Sequence, residues 1–171
     1  IDTGIRYTHQ DLADNMWKNP NEIAGDGIDN DNNGYVDDVY GLNALNASGN
    51  PFDDNGHGTH CAGTIGAAAN NGFDHVGVVW STQLMALKFL DADGFGSLSG
   101  AMECIEYAIA NGADIINASY GGGGFSQAMA DLITTAGEAG VLFVAAAGNE
   151  SNDNDNNPSY PASYSATNVI S

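Results

Sequence analysis

The sequence predicts an α/β fold in which helices cover both faces of a parallel central sheet. Three short runs, at residues 84–90, 114–119 and 141–146, are apolar on both faces, as buried parallel strands are. Segments of helical length alternate with these runs, which is the order expected of β–α units. The chain of 171 residues has a hydrophobic fraction of 43%, enough for the core of one domain.

The two ends of the chain both resemble interrupted strands. Ile1 and Asp2 have the character of the last residues of a strand, and residues 168–171 that of the first residues of another. We therefore expect residues 1–171 to be part of a single domain, with a fold that is incomplete at both ends. No run is apolar and long enough for a membrane segment.

Helix signals fall between the predicted strands. A small, mostly apolar helix is expected over residues 59–69. Ser97 or Ser99 is suited to cap a second helix, which ends near Asn111 with Gly112 as its stop. A third helix is expected over residues 126–140. Since function in such folds gathers at the carboxyl ends of the strands, the residues that follow them are candidate site residues.

The charge of the chain is strongly acidic, with 22 acidic residues against 3 basic ones and a formal net charge of −19. Nucleic acid is therefore excluded as a partner, because binding to phosphates requires lysine and arginine. The acidic residues are concentrated in loops, which favours bound divalent cations. The two cysteines, Cys61 and Cys104, lie on apolar helical segments and are expected to be buried thiols.

One acidic segment, residues 25–38, has the spacing of a calcium loop. Counted from Asp29, oxygen-bearing side chains stand at positions 1, 3 and 5, glycine at 6, a backbone carbonyl at 7 and a carboxylate at 9. The glutamate that closes an EF-hand is missing, and Asp38 or Asp26 would have to replace it. A solvated acidic turn is the alternative. The predicted ligands are Asp29, Asp31, Asn33, Tyr35 and Asp37.

A histidine between two glycines, Gly56-His57-Gly58, stands at the start of the first predicted helix. The glycines leave room for close approach to the ring. The positive end of the helix dipole disfavours the imidazolium, which suits a neutral general base.

Three motifs taken together resemble the subtilisin-like serine proteases, the subtilase family. They are Ile1-Asp2-Thr3-Gly4, the stretch from Asp53 to Gly63, and Val144-Ala145-Ala146-Ala147-Gly148-Asn149, with 55 and 92 positions between Asp2, His57 and Asn149. The resemblance implies that Asp2 orients the base His57 and that Asn149 binds the oxyanion. The Gly-Thr-Ser-Met-Ala segment that carries the nucleophile in this family does not occur in the chain.

The resemblance also implies cation and substrate sites. Asp11 and the Asn71 side chain, with carbonyls at positions 69, 73 and 75, would hold Ca²⁺. Extended edges that pair with a peptide would be formed by two segments, Gly94-Phe95-Gly96 and Ser119-Tyr120-Gly121. Cys61 follows His57 by one helical turn, so its thiol is expected behind the imidazole.

The sequence thus predicts part of a calcium-dependent serine endopeptidase with an Asp-His-Ser triad, whose serine lies beyond residue 171. The resemblance implies protein or peptide substrates, a propeptide and a secreted or vesicular location, and the 171 residues alone should be inactive. A non-catalytic protein that binds calcium and peptides is the main alternative. A nucleotide-binding fold is disfavoured, because residues 94–99 only approximate the dinucleotide fingerprint.

Overall fold

The computed structural model describes residues 1–73 and 75–171. The chain divides into two compact units, residues 1–104 and 105–171. Helices and parallel strands alternate along both units, which confirms the predicted α/β class. Within the described residues no helix is long and apolar enough to cross a membrane.

The first unit contains a two-stranded parallel sheet and a helix of ten residues. Strand β1 (Gly41–Asn43) pairs in parallel with β2 (Ala86–Lys88), and Asp2 forms an isolated parallel bridge to Lys88. Strand β1 was not anticipated from the sequence. It lies so close to β2 that a Cβ on Gly41 would stand 1.9 Å from the Ala86 carbonyl oxygen, so only glycine fits there.

Helix α1 (His57–Gly66) begins and ends earlier than the prediction over residues 59–69. Its start is fixed by Gly56, which has a left-handed backbone with φ of 109°, and by the Asp53 carboxylate, which accepts the Thr59 N–H. The helix packs against a short 3₁₀ turn (Ala13–Asn15) and the strands through a small apolar core. Its buried members are Ile5, Leu12, Met16, Ala62, Ala67, Leu84 and Ala86.

Helix α2 (Leu98–Ala110) runs across the boundary between the two units. The Ser97 hydroxyl accepts the Gly100 N–H at 3.0 Å, as predicted for a cap, and Gly112 follows the helix with φ of 70°.

The second unit is built on a three-stranded parallel sheet in the order β3 (Ile115–Ala118), β4 (Leu142–Ala145), β5 (Val169–Ile170). Helix α3 (Gln127–Glu138) connects β3 to β4, and the Ser126 hydroxyl caps its start. The residues that follow β3 and β4, from Ser119 and from Ala146, therefore lie at the same edge of this sheet.

Candidate active site

Asp2 is held by the backbone of strand β2. Its N–H donates to the Leu87 carbonyl at 3.0 Å, and its carbonyl accepts the Phe89 N–H at 3.1 Å. The side chain is buried, and its Oδ1 also accepts the Thr3 N–H at 2.7 Å. The backbone bonds leave the carboxylate little freedom to move.

His57 is the first residue of α1, and its ring meets the Asp2 carboxylate. The imidazole Nδ1 lies 2.8 Å from Oδ1 and 3.0 Å from Oδ2 of Asp2. The histidine side chain is 52% exposed, whereas that of Asp2 is 8% exposed. A carboxylate on Nδ1 fixes the proton there and leaves Nε2 as the nitrogen that can accept one. The structure thus brings together two residues that stand 55 positions apart in the sequence.

A second buried carboxylate, Asp53, joins the segments that carry this pair. Its Oδ1 accepts the Thr3 hydroxyl at 2.8 Å, and Thr3 in turn accepts the Gly58 N–H at 2.9 Å. Burial alone would raise the pKa of Asp53, but hydrogen bonds from Thr59, Gly56 and Asn55 outweigh it and lower the pKa. The sequence reasoning gave Asp53 no role. An aspartate just before a helix is a capping signal that would have marked it.

Lys88 is a second site residue that sequence reasoning missed. It is 2% exposed, and its Nζ donates to the Thr3 carbonyl at 2.7 Å, the Leu90 carbonyl at 2.6 Å and the Asp54 carboxylate at 2.6 Å. A lysine in the middle of an apolar strand was the available signal, since lysine is almost never fully buried without partners.

The two thiols differ in their surroundings. The Sγ of Cys61 lies 3.9 Å from Nδ1 of His57, at the position expected behind the imidazole. Burial raises the pKa of the Cys104 thiol to about 12. Cys61 is half-buried and Cys104 is buried.

The predicted substrate edge of the first unit is a tight turn. The Asp91 carboxylate accepts the Phe95 N–H at 2.9 Å, and the Asp91 N–H donates to the Phe95 carbonyl. Gly94 has φ of 83°, and a Cβ on Gly96 would stand 2.3 Å from the Phe89 carbonyl oxygen. Phe95 is 74% exposed, so its ring is available for contact with a ligand.

In the second unit, Asn149 and the other predicted substrate edge line one cavity. The cavity has a volume of about 580 Å³, and Ser119, Tyr120, Gly121 and Asn149 are among the residues that line it. Asn149 is exposed, and its N–H donates to the Glu150 carboxylate at 2.8 Å. The cavity opens after the carboxyl ends of β3 and β4, where the sequence pattern places function.

In the acidic segment 25–38, some carboxylates accept backbone N–H groups and others accept a side-chain amide. Asp29 accepts the N–H groups of Asn33 and Gly34, and Asp37 accepts those of Gly25 and Gly27, so both shape the loop. The Asn33 side chain bridges Asp31 and Asp38 through its amide. Tyr35 donates its hydroxyl to Glu103 at 2.7 Å.

A cluster of three carboxylates includes Asp31, a predicted calcium ligand, and Asp38, which the sequence offered as one of two closing ligands. Oxygens of Glu22, Asp31 and Asp38 lie within 4.8 Å of one another. Oε2 of Glu22 is buried and, within the part of the chain that the structure describes, has no hydrogen-bond partner. A buried carboxylate oxygen without a donor is what a bound cation would satisfy, so these residues fit a calcium ion. Glu22 was not anticipated.

The other predicted cation site contains a direct contact between its two side chains. The Asn71 amide donates to Oδ1 of Asp11 at 3.0 Å, and Asp11 is 7% exposed. The loop from 69 to 75 that would complete the site includes residue 74, which lies outside the described residues.

Comparison with known proteins agrees with the motifs. The model of the subtilase family matches residues 1–171. Subtilisin-like protease 1 of Plasmodium falciparum is 42% identical over 159 residues, which is 92% of this chain and 23% of that protein. Subtilisin amylosacchariticus of Bacillus subtilis is 42% identical over 169 residues, covering 98% of this chain and 38% of the relative.

A third relative, minor extracellular protease Epr of Bacillus subtilis, is 42% identical over 131 residues, or 77% of this chain and 20% of its own length. The chain therefore spans well under half the length of each of these relatives. The match of the family model to the whole chain and the identity of 42% to these relatives show a family relationship and not only a shared fold. The chain belongs to the subtilase family of subtilisin-like serine proteases.

Proposed function

We propose that this chain supplies the aspartate, the histidine and the oxyanion-binding asparagine of a serine endopeptidase. In this proposal its 171 residues are part of one catalytic domain, and the nucleophilic serine lies beyond residue 171. The observation that supports it most is the bond of 2.8 Å between Nδ1 of His57 and the Asp2 carboxylate. A half-exposed imidazole with its Nδ1 on a buried carboxylate has the arrangement of a general base.

In the proposed reaction, Nε2 of His57 removes the proton from the serine hydroxyl as its oxygen attacks the peptide carbonyl. Asp2 accepts the Nδ1–H bond and stabilises the imidazolium that forms. The Asn149 amide donates to the oxyanion of the tetrahedral intermediate. His57 then gives the proton to the leaving amine as the acyl-enzyme forms. In the second step His57 removes a proton from water, which attacks the acyl-enzyme, and returns that proton to the serine oxygen.

The proposed substrates are proteins or peptides that bind along two segments, the turn at residues 94–96 and the segment at residues 119–121. Phe95 on its exposed turn would contact side chains of the substrate, and the cavity beside Asn149 would take the residue before the cleaved bond. By analogy with the extracellular relative of Bacillus subtilis, we place the full-length protein outside the cytoplasm or in a vesicle. We also propose a propeptide, as the resemblance to the family implies.

Calcium is the proposed cofactor, held by Glu22, Asp31 and Asp38 in the acidic segment. The support is the buried Oε2 of Glu22, because desolvating a carboxylate oxygen without a partner is costly. Asp29, Asn33, Tyr35 and Asp37 would shape or complete this loop, and Asp11 with Asn71 would form a second site. Bound calcium would neutralise the clustered charge and fix the loop.

The catalytic proposal is tested by peptidase assays on the full-length protein. His57→Ala should lower kcat by about 10⁶-fold and Asn149→Ala by roughly 10²–10³-fold, magnitudes that are known from subtilisin itself. His60→Ala is a matched control, since His60 is an exposed histidine one turn along the same helix. Full activity of the His57→Ala protein would contradict the proposal. A wild-type protein that binds peptides without cleaving them would favour the non-catalytic alternative.

The calcium proposal is tested by titrating chelator-treated full-length protein with Ca²⁺ in a calorimeter. Glu22→Gln should abolish one binding event, whereas Asp14→Asn, which changes an exposed carboxylate outside the cluster, should leave all of them. Equal binding by the wild-type and Glu22→Gln proteins would contradict this ligand set.

A further inference from the structure

The buried Asp53 carboxylate lies between the two segments that carry the proposed catalytic pair, but it is not a member of that pair. We propose that Asp53 is a positioning residue that sets the Asp2–His57 hydrogen bond by holding the Thr3 hydroxyl against the start of helix α1. This inference rests on the proposed function of Asp2 and His57.

The Asp53 carboxylate is saturated with donors from both segments. Oδ1 accepts the Thr3 hydroxyl at 2.8 Å and the N–H groups of Asn55 and Gly56 at 3.0 and 2.9 Å. Oδ2 accepts both the N–H and the hydroxyl of Thr59. Asp53 is 8% exposed, so these bonds are shielded from water. An ionised carboxylate is the only common side chain that accepts so many bonds without presenting a donor of its own.

The Thr3 hydroxyl connects Asp53 to the backbone beside the catalytic pair. It donates to Asp53 and accepts the Gly58 N–H at 2.9 Å, and it is 1% exposed. Thr3 is the neighbour of Asp2 in the sequence, and Gly58 is the neighbour of His57. One hydroxyl therefore joins the two backbones directly beside the residues whose side chains must meet.

There is little free space between these backbones. A Cβ on Gly58 would stand 2.1 Å from the Gly4 carbonyl oxygen and 3.1 Å from the Asp2 Cβ. Since the segments are already in van der Waals contact, a shift of Thr3 or of the helix start must change the Asp2–His57 distance.

The neighbouring carboxylate, Asp54, provides a matched control. It is half exposed and accepts the Lys88 ammonium at 2.6 Å, whereas the bonds to Thr3 and to the helix start are made by Asp53. Asp54→Asn removes the same charge from nearly the same place and leaves an oxygen that can still accept from Lys88. It therefore separates an effect of charge on His57 from an effect of position.

The experiment compares five forms of the full-length protein: wild type, Asp53→Asn, Asp54→Asn, Thr3→Val and Thr3→Ser. The measurements are kcat and KM across pH, and the proton signal of His57 Nδ1–H by NMR, which needs no turnover. In Asp53→Asn, an amide N–H₂ group replaces one carboxylate oxygen and faces groups that are themselves donors. Thr3→Val removes the bridging hydroxyl, whereas Thr3→Ser keeps it.

We expect Asp53→Asn and Thr3→Val to lower kcat roughly tenfold to a hundredfold with little change in KM, because the base is displaced rather than removed. A weaker bond to Asp2 stabilises the imidazolium less, so the acid limb of the kcat profile should move to lower pH. The Nδ1–H signal should move upfield. Thr3→Ser and Asp54→Asn should match the wild type in kcat, in the acid limb and in the Nδ1–H signal.

Several results would overturn the inference. One is a lowered melting temperature in Asp53→Asn and Thr3→Val while the acid limb and the Nδ1–H signal stay as in the wild type, because Asp53 would then only stabilise the fold. Another is an equal shift of the acid limb by Asp54→Asn. If Asp53→Asn does not fold, the contrast between Thr3→Val and Thr3→Ser decides alone. By contrast, full activity of His57→Ala would overturn the proposed function itself.

Discussion

The charge state of Asp53 links a single residue to the acid stability of the protein. Hydrogen bonds to its carboxylate lower its pKa below that of an unfolded aspartate despite its burial. Such a group adds stability in full above its unfolded pKa, about 3.9, and this contribution is lost as the pH falls through the lower folded pKa. The native state should therefore weaken below about pH 4.

This dependence can be measured by denaturant unfolding between about pH 7 and about pH 3. The wild type should be more stable than Asp53→Asn near neutral pH, and the difference should shrink towards acid pH as Asp53 protonates. Asp14→Asn is the control, because it removes the charge of an exposed carboxylate outside this network. A difference that stays constant with pH would contradict the role given to the ionised carboxylate.

The two thiols should react at very different rates. The high pKa of Cys104, about 12, leaves almost no thiolate near neutral pH, and the thiol is buried. We expect a disulfide reagent at about pH 8 to modify Cys61 in the native protein and Cys104 only on unfolding. Native Cys61→Ser should not react. Because the sulfur of Cys61 lies 3.9 Å from His57, modification should also lower peptidase activity, and unchanged activity would contradict that contact.

Strand β2 shows how one buried cation can support a strand and a site together. Lys88 satisfies two carbonyls, those of Thr3 and Leu90, and pairs with Asp54. Replacing it with the similarly shaped methionine leaves two carbonyls and the half-exposed Asp54 carboxylate without this donor, so Lys88→Met should lower the free energy of unfolding by about 2–5 kcal/mol.

Chemical denaturation of the Lys88→Met protein checks this value. Lys18→Met is the control, because Lys18 is exposed and its replacement should change stability by about 0.5 kcal/mol or less. Stability equal to that of the wild type in Lys88→Met would mean that water or a rearranged backbone replaces all three bonds.

The elements that the sequence predicted well are those with strong local signals. Apolar runs marked β2, β3 and β4, and serine caps with trailing glycines marked α2 and α3. Strand β1 was missed because Gly41–Asn43 is short and carries no apolar pattern, and its pairing depends on β2 far along the chain. The start of α1 was placed too late, since its cap comes from Asp53 through a turn rather than from the adjacent residue.

In the candidate site, too, features with a local sequence signal were predicted and long-range contacts were not. Motifs predicted Asp2, His57 and Asn149 as site residues, and the structure brings Asp2 and His57 together. The bonds of Thr3 and Lys88 could not be predicted, because they join residues that are distant in the sequence. In the acidic segment the sequence spacing identified a loop, but spacing does not tell which carboxylates bind backbone N–H groups. Glu22, outside the spaced pattern, approaches Asp31 only in the folded chain.

At the scale of the whole molecule, the dominant feature is the net charge of −19. Repulsion among so many carboxylates opposes the compact state, and dissolved ions screen it. In the full-length protein, the unfolding transition of the domain that contains these 171 residues should therefore gain a few degrees in Tm when NaCl is raised from about 10 mM to about 0.5 M in the presence of a chelator.

Screening and site binding can be separated by comparing ions at equal ionic strength. Magnesium and calcium screen alike, but the clustered oxygens of Glu22, Asp31 and Asp38 favour the larger, more flexibly coordinated ion. Calcium should raise the Tm above the value reached in magnesium, and Glu22→Gln should reduce that excess while leaving the response to NaCl unchanged. Equal Tm values in the two ions would mean that the acidic loop acts only through its general charge.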